Sequence, residues 1–242
     1  MNDTAGQPAG NARKRLCAMM FLEFVIWGAW LPLIFGYLPS RGFTPIQQSL
    51  ILNAFPAAAI IGMFFSNQFA DRNFAAEKFL AFSHLVGGVC IFALAWTRDF
   101  WTFFLLMLGH CLLYVPTISI TNSIAFANLK DAQKEFGRVR LWGTIGWIMA
   151  AWPFTFILVD WDKVQAANVQ GFVSWIGTVL GSGLTGDPLK EATKWTYIVA
   201  GVASFALAAF SLVLPHTPPK KVASGAEKLA WLEACKLLKH PF

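Results

Sequence analysis

Two arginines run directly into an apolar stretch at Gly137-Arg-Val-Arg-Leu-Trp-Gly-Thr-Ile-Gly-Trp147, and that apolar run continues to Val159. Arginine inside a membrane helix is costly and calls for a partner. With 100° between successive helical residues, Arg140, Thr144 and Trp147 fall within roughly a 60° arc, so guanidinium, hydroxyl and indole share one side. The stripe is a candidate ligand-facing surface. The competing reading has Arg140 snorkelling back to the interface, while Arg138, nearer the start of the run, meets the headgroups.

A second stripe carries an acid. Glu23, Trp27 and Trp30 repeat at i, i+4 and i+7 in the first apolar run. A carboxylate inside a bilayer is expensive, which makes Glu23 a candidate proton carrier or ligand acceptor; the alternative is a glutamate that reaches a water-filled crevice or a basic partner for packing alone. His84 lies in the third run, and His110, Tyr114, Thr117 and Thr121 line one side of the fourth. Either histidine could pass protons, or simply be a satisfied hydrogen-bonding group. Between the second and third runs, Asp71 and Arg72 sit in a short turn, as a latch between helices or as solvated charges. Enzymatic motifs are missing: there is no Gly-x-Ser-x-Gly, no His-Glu-x-x-His, and the four histidines are scattered. No catalytic residue, metal site or cofactor is expected.

The elements that must position these residues follow from composition. The chain is 56% hydrophobic and only 13% charged, with 23 Phe and 11 Trp. Soluble proteins carry about a quarter charged residues, so this is a membrane protein. The net charge of +6 is spread between apolar runs, which points to membrane surface and away from nucleic acid. The first run, beginning after Arg13-Lys14-Arg15, is too long for a cleaved leader. Cys17, Cys90, Cys111 and Cys235 make neither a metal pattern nor a disulfide framework.

Six spans are predicted at about 16–38, 48–69, 79–97, 101–126, 141–159 and 195–214, with kinks at Pro32, Pro56, Pro116 and Pro153. The expected fold is an all-α membrane protein, a six-transmembrane-helix bundle over 16–214, between a cytoplasmic tail (1–15) and a cytoplasmic linker (215–242). Most of the 19 Lys and Arg residues then lie on the cytoplasmic side, leaving only Arg41, Arg98, Lys163, Lys190 and Lys194 opposite. Both termini are thus expected to be cytoplasmic. Val169 to Leu184 is read as an interfacial or re-entrant piece of the outer loop. It is too short for a seventh span.

Four stretches together resemble one family: Phe21-Leu-Glu-Phe-Val-Ile-Trp-Gly-Ala-Trp30, Ala70-Asp-Arg-Asn-Phe-Ala-Ala-Glu-Lys78, Phe136 to Trp147, and Leu214-Pro-His-Thr-Pro-Pro219. They are similar to the nucleoside:proton symporter family of the major facilitator superfamily, in its N-terminal six-helix half. The resemblance implies proton-driven nucleoside uptake across the plasma membrane by alternating access. It also implies a substrate site at Arg140, Thr144 and Trp147, to which Trp27 and Tyr114 are added from their stripes. Glu23, His110 and His84 are the proton-coupling candidates, and Asp71 and Arg72 the conformational latch. The partners implied are a nucleoside, protons, the bilayer and a second six-helix half that this chain does not contain, so that the chain alone is expected to transport little. The alternatives are proton symport of sugars or another polar metabolite, and a non-transporting membrane scaffold.

Overall fold

The structure, a computed structural model, describes residues 9–62 and 73–219. Within them the chain is helical, with one isolated bridge between Val159 and Gly183. The helices are α1 (Ala9–Ser40), α2 (Pro45–Leu52), α3 (Ala54–Ile61), α4 (Ala76–Ala93), α5 (Phe100–Asn128), α6 (Ala132–Ile157), α7 (Trp161–Ala166), α8 (Phe172–Gly181) and α9 (Gly186–Ser211). Among the described residues, four segments are long and apolar enough to cross a membrane: Asn11–Ser40, Ala76–Trp96, Phe100–Asn128 and Gly186–Ser211. At 26 residues α6 has the length, about 39 Å, but its first half carries Lys134, Glu135, Arg138 and Arg140. The α2–α3 pair takes the remaining place. A six-helix membrane bundle results.

Pro56 explains why the second span comes in two pieces. A proline has no N–H and its ring collides with the carbonyl four residues back, here that of Leu52. The helix stops there and restarts at Ala54, so that Pro56 falls in a first turn where no N–H is needed. Asn53 bridges the break by donating its side-chain amide to the Ser49 carbonyl at 2.8 Å. At Pro32, Pro116 and Pro153 the helices run on without interruption. The last third of the predicted second span, with Asp71 and Arg72, lies outside the described residues.

Three helix starts differ from expectation, each for a local reason. α1 begins at Ala9, so Arg13, Lys14 and Arg15 are helical rather than part of a tail. α6 begins at Ala132, in what reads as a loop, because Asp131 accepts from the Lys134 N–H and caps it. α9 begins at Gly186: Asp187 pairs with Lys190 and Glu191 with Lys194, which lets charged turns extend an apolar helix. Asp99 caps α5 by accepting from Thr102 N–H at 2.9 Å. That bond holds the Asp99 carboxyl below its usual range, so the cap is intact at neutral pH and is lost only as pH falls through the lowered value.

Residues 160–182 leave and rejoin the bundle at one point, where Asp160 N–H donates to Ser182 O and Leu184 N–H to Leu158 O. α8 within this excursion is ten residues, about 15 Å, too short to cross a bilayer. It buries Val179 against Val159 and Val164 and leaves Phe172, Val173 and Leu180 exposed.

Lipid tails are as apolar as leucine, so helices in a membrane are held by close packing and by hydrogen bonds. The bundle uses both. α1 is the hub, packed against α6 and α9; α4 packs on α9 and α5, and α3 on α5. Along the α1–α6 seam the backbones touch: a Cβ on Gly146 would lie 2.3 Å from the Phe21 carbonyl oxygen, and one on Gly28 2.6 Å from that of Trp147. Beyond α9 the chain does not swing free. Thr217 accepts from Ala76 N–H and donates its own N–H to Glu77 Oε2, His216 Nδ1 lies 2.7 Å from Glu77 Oε1, and Asn128 donates to Thr217 Oγ1. This strap fastens the exit of α9 to the start of α4 and the end of α5.

Candidate functional site

α1 presents two surfaces one helical turn apart, an open aromatic one at Trp27 and a sealed acidic one at Glu23. The open surface is shared with α6 and α3. The Trp27 indole stacks on Phe55, with centroids 5.0 Å apart, and meets Trp147 edge-on at 4.9 Å. All three rings are half-buried. The Arg140 guanidinium lies over the Phe24 ring of α1, 3.9 Å from its centroid, a cation–π contact. Thr144, between Arg140 and Trp147, is exposed. The Trp27 Nε1 proton is buried without an acceptor among the described residues. An indole, a guanidinium and a hydroxyl thus border one surface that offers stacking area and hydrogen-bond donors.

The sealed surface is a buried polar cluster joining four helices. Glu23 is 0% exposed. Its Oε2 lies 2.9 Å from His84 Nε2 on α4, its Oε1 accepts from Thr117 on α5 at 2.8 Å, and its backbone carbonyl accepts from the Tyr114 hydroxyl at 2.7 Å. His84 Nδ1 in turn lies 3.1 Å from Ser204 Oγ on α9.

Counting protons gives two consistent arrangements. With Glu23 ionised, His84 Nε2–H donates to it and Ser204 donates to Nδ1. With a proton on Glu23, the carboxylic acid donates to Nε2, and a neutral His84 carries its proton on Nδ1 toward Ser204. Thr117 can follow either state, because its hydroxyl also reaches the Tyr114 carbonyl. The cluster can gain or give up a proton without leaving a buried group unpaired. Burial makes that property costly to do without.

The structure therefore brings Glu23, His84 and Tyr114 together. His110 stands apart: its Nδ1–H donates to the Gly87 carbonyl at 3.0 Å, its Nε2 has no hydrogen-bond partner among the described residues, and it meets the cluster by stacking on Tyr114 at 5.3 Å. Tyr114 is buried within the acidic cluster, away from the open aromatic surface. Arg140, Trp147 and Trp27 share that open surface, with Thr144 on its rim. Asp71 and Arg72 lie outside the described residues.

Sequence reasoning passed over Ser204 and Phe55. For Ser204 a signal existed, since Tyr197, Ser204 and Ser211 recur every seven residues along α9 and all are buried. Phe55 carries none, one phenylalanine among many.

A family model described as "Nucleoside H+ symporter" matches residues 11–186 and 169–242. The chain belongs to this family. The putative nucleoside transporter YegT of Escherichia coli (strain K12) is 33% identical over 208 residues, 85% of this chain and 43% of that protein. Xanthosine permease of the same organism is 28% identical over 235 residues, 94% and 49% of the two chains. A crystal structure of the nucleoside transporter NupG (D323A mutant) superposes with a TM-score of 0.75 at 24% identity, covering 95% of this chain and 51% of that one. The bundle is accordingly half of a major facilitator fold in a multi-pass membrane protein of the symporter family. Its relatives are transporters, not enzymes. The chain spans about half the length of the curated relatives it matches.

Proposed function

We propose that this bundle serves proton-coupled nucleoside transport by alternating access in the cell membrane, with both chain termini cytoplasmic. The base stacks on the open aromatic surface of Trp27, Phe55 and Trp147. Arg140 and Thr144 bind oxygens of ribose or base. Glu23 holds the coupled proton, with His84 as its exchange partner, Thr117 fixing its carboxyl, Tyr114 holding its backbone carbonyl, and His110 supporting Tyr114 by stacking. Asp71 and Arg72 act as a latch between helices, and residues 215–242 as the linker to a second six-helix body.

One observation carries the proposal: a fully buried carboxyl whose partners accommodate it with or without its proton lies four residues from a ring that can hold a base. Substrate and proton then act on the same helix. Protonation reverses the hydrogen bond between Glu23 on α1 and His84 on α4, and a bound base changes what α1 packs against, so each can bias the same motion.

The test uses the purified chain in lipid nanodiscs. Radiolabelled uridine should bind saturably, be displaced by adenosine and not by glucose, and take up protons from a weakly buffered medium. Trp147→Ala should weaken binding about tenfold, in keeping with the stacking contribution per base, and Arg140→Ala by a similar factor. Displacement by glucose as effective as by uridine would make this a sugar carrier. Absence of saturable uridine binding would leave a scaffold.

A further inference from the structure

α6 has a second functional face. Arg138, Trp142 and Met149 fall within roughly 40° of one another on its helical wheel, and the glycines that touch α1 separate them from the Arg140, Thr144 and Trp147 stripe. They line a cavity of about 760 Å³ with Arg13, Lys14 and Phe21 of α1. Its mouth is basic and its wall apolar: Arg13, Lys14 and Arg138 are exposed, as are Trp142 at 44% and Met149 at 59%. Among the described residues no acid lines it and none of the three cations joins an ion pair.

We propose that this groove binds one anionic phospholipid from the leaflet that meets the N-terminal end of α1, its phosphate held by Arg13, Lys14 and Arg138 and an acyl chain lying along Trp142 and Met149. Charge complementarity selects the occupant. Three cations without an ion-pair partner among the described residues, at the level where a helix enters the membrane, attract an anion, and basic pockets between membrane helices favour acidic headgroups. The exposed indole and thioether below them suit hydrocarbon. A free phosphate would use the mouth and leave the wall uncovered. The volume falls within the range of small-molecule sites, about 300–1,000 Å³, enough for a headgroup with the first part of a chain. Because the groove lies on the other side of the α1–α6 seam from the aromatic surface, lipid and substrate do not compete for space.

Native mass spectrometry of the purified chain, released from detergent micelles containing equal amounts of phosphatidylglycerol and phosphatidylcholine, tests this. One phosphatidylglycerol should stay bound in about tenfold preference. The variant with Arg13→Gln, Lys14→Gln and Arg138→Gln should lose the preference, Arg138→Gln alone should lose part of it, and Arg138→Lys should keep most of it. All are exposed positions, and helix content by circular dichroism checks each fold. Excess inorganic phosphate should leave the lipid in place. Equal retention of both lipids, an unchanged preference in the triple variant, or displacement by inorganic phosphate would each overturn the proposal, the last pointing to a free anion site.

Discussion

At the scale of single residues the chemistry turns on where a proton can sit. Glu23 could be picked out from sequence because it is an acid in the middle of an apolar run, and its cost in a membrane demands an account. Its partners were harder to read. His84 and His110 look alike in sequence, each a lone histidine on an apolar helix, yet only His84 reaches the carboxyl. The difference comes from helix rotation and the α4–α5 contact, which local pattern does not encode. Two substitutions separate them. Glu23→Gln removes the exchangeable proton while keeping a hydrogen-bonding side chain, so proton uptake on uridine binding should fall at least tenfold with binding itself changed only a few-fold. His110→Phe keeps the stacking on Tyr114 and should leave proton uptake near that of the parent chain. Both are read with a pH-sensitive dye in weakly buffered nanodiscs.

Secondary structure was legible wherever burial and charge agree, and misleading where they part. Hydropathy alone starts the last helix at about 195, since Lys190, Glu191 and Lys194 read as loop; their ion pairs carry the helix back to Gly186. The proline positions were plain from sequence, but only Pro56 interrupts its helix, at a place where the Asn53 side chain bonds back to the Ser49 carbonyl across the break. Closeness of helix approach is a further property that pattern conceals. Gly137 and Gly146 look equivalent in sequence, and the structure separates them: a methyl on Gly137 meets nothing within 4 Å, whereas one on Gly146 meets backbone. Gly146→Ala should therefore destabilise the bundle by about 1–3 kcal/mol, the usual cost of overpacking. Gly137→Ala should leave the thermal midpoint unchanged or slightly raised. Scanning fluorimetry in detergent compares the two.

For the whole molecule, the division into membrane bundle, the excursion of residues 160–182 and the exit strap arises from contacts distant in sequence. Leu214 to Pro219 reads as a proline-marked linker, and nothing in its composition shows that Glu77, well over a hundred residues earlier, holds it. Glu77 itself reads as half of a surface pair with Lys78. The structure turns it inward to accept from Thr217 and to meet His216, which leaves it 6% exposed. Releasing the strap should uncover the segment that follows α9. In Glu77→Ala, limited proteolysis near residues 212–217 should be several-fold faster than in the parent chain, with fragments located by mass spectrometry; an unchanged rate would mean that the bonds from Ala76 and Asn128 hold the strap without Glu77.

The strap also sets a pivot. Left free and extended, residues 212–217 would give whatever follows them about 20 Å of play, measured from the end of α9. Fastened at Thr217, they give almost none, and the fulcrum moves from α9 to the junction of α4 and α5. A load on the chain beyond Pro219 would then be delivered first to Glu77, at the head of the helix that also carries His84. A pull on the exit of the bundle is in this way also a pull on the helix from which His84 reaches the Glu23 carboxyl.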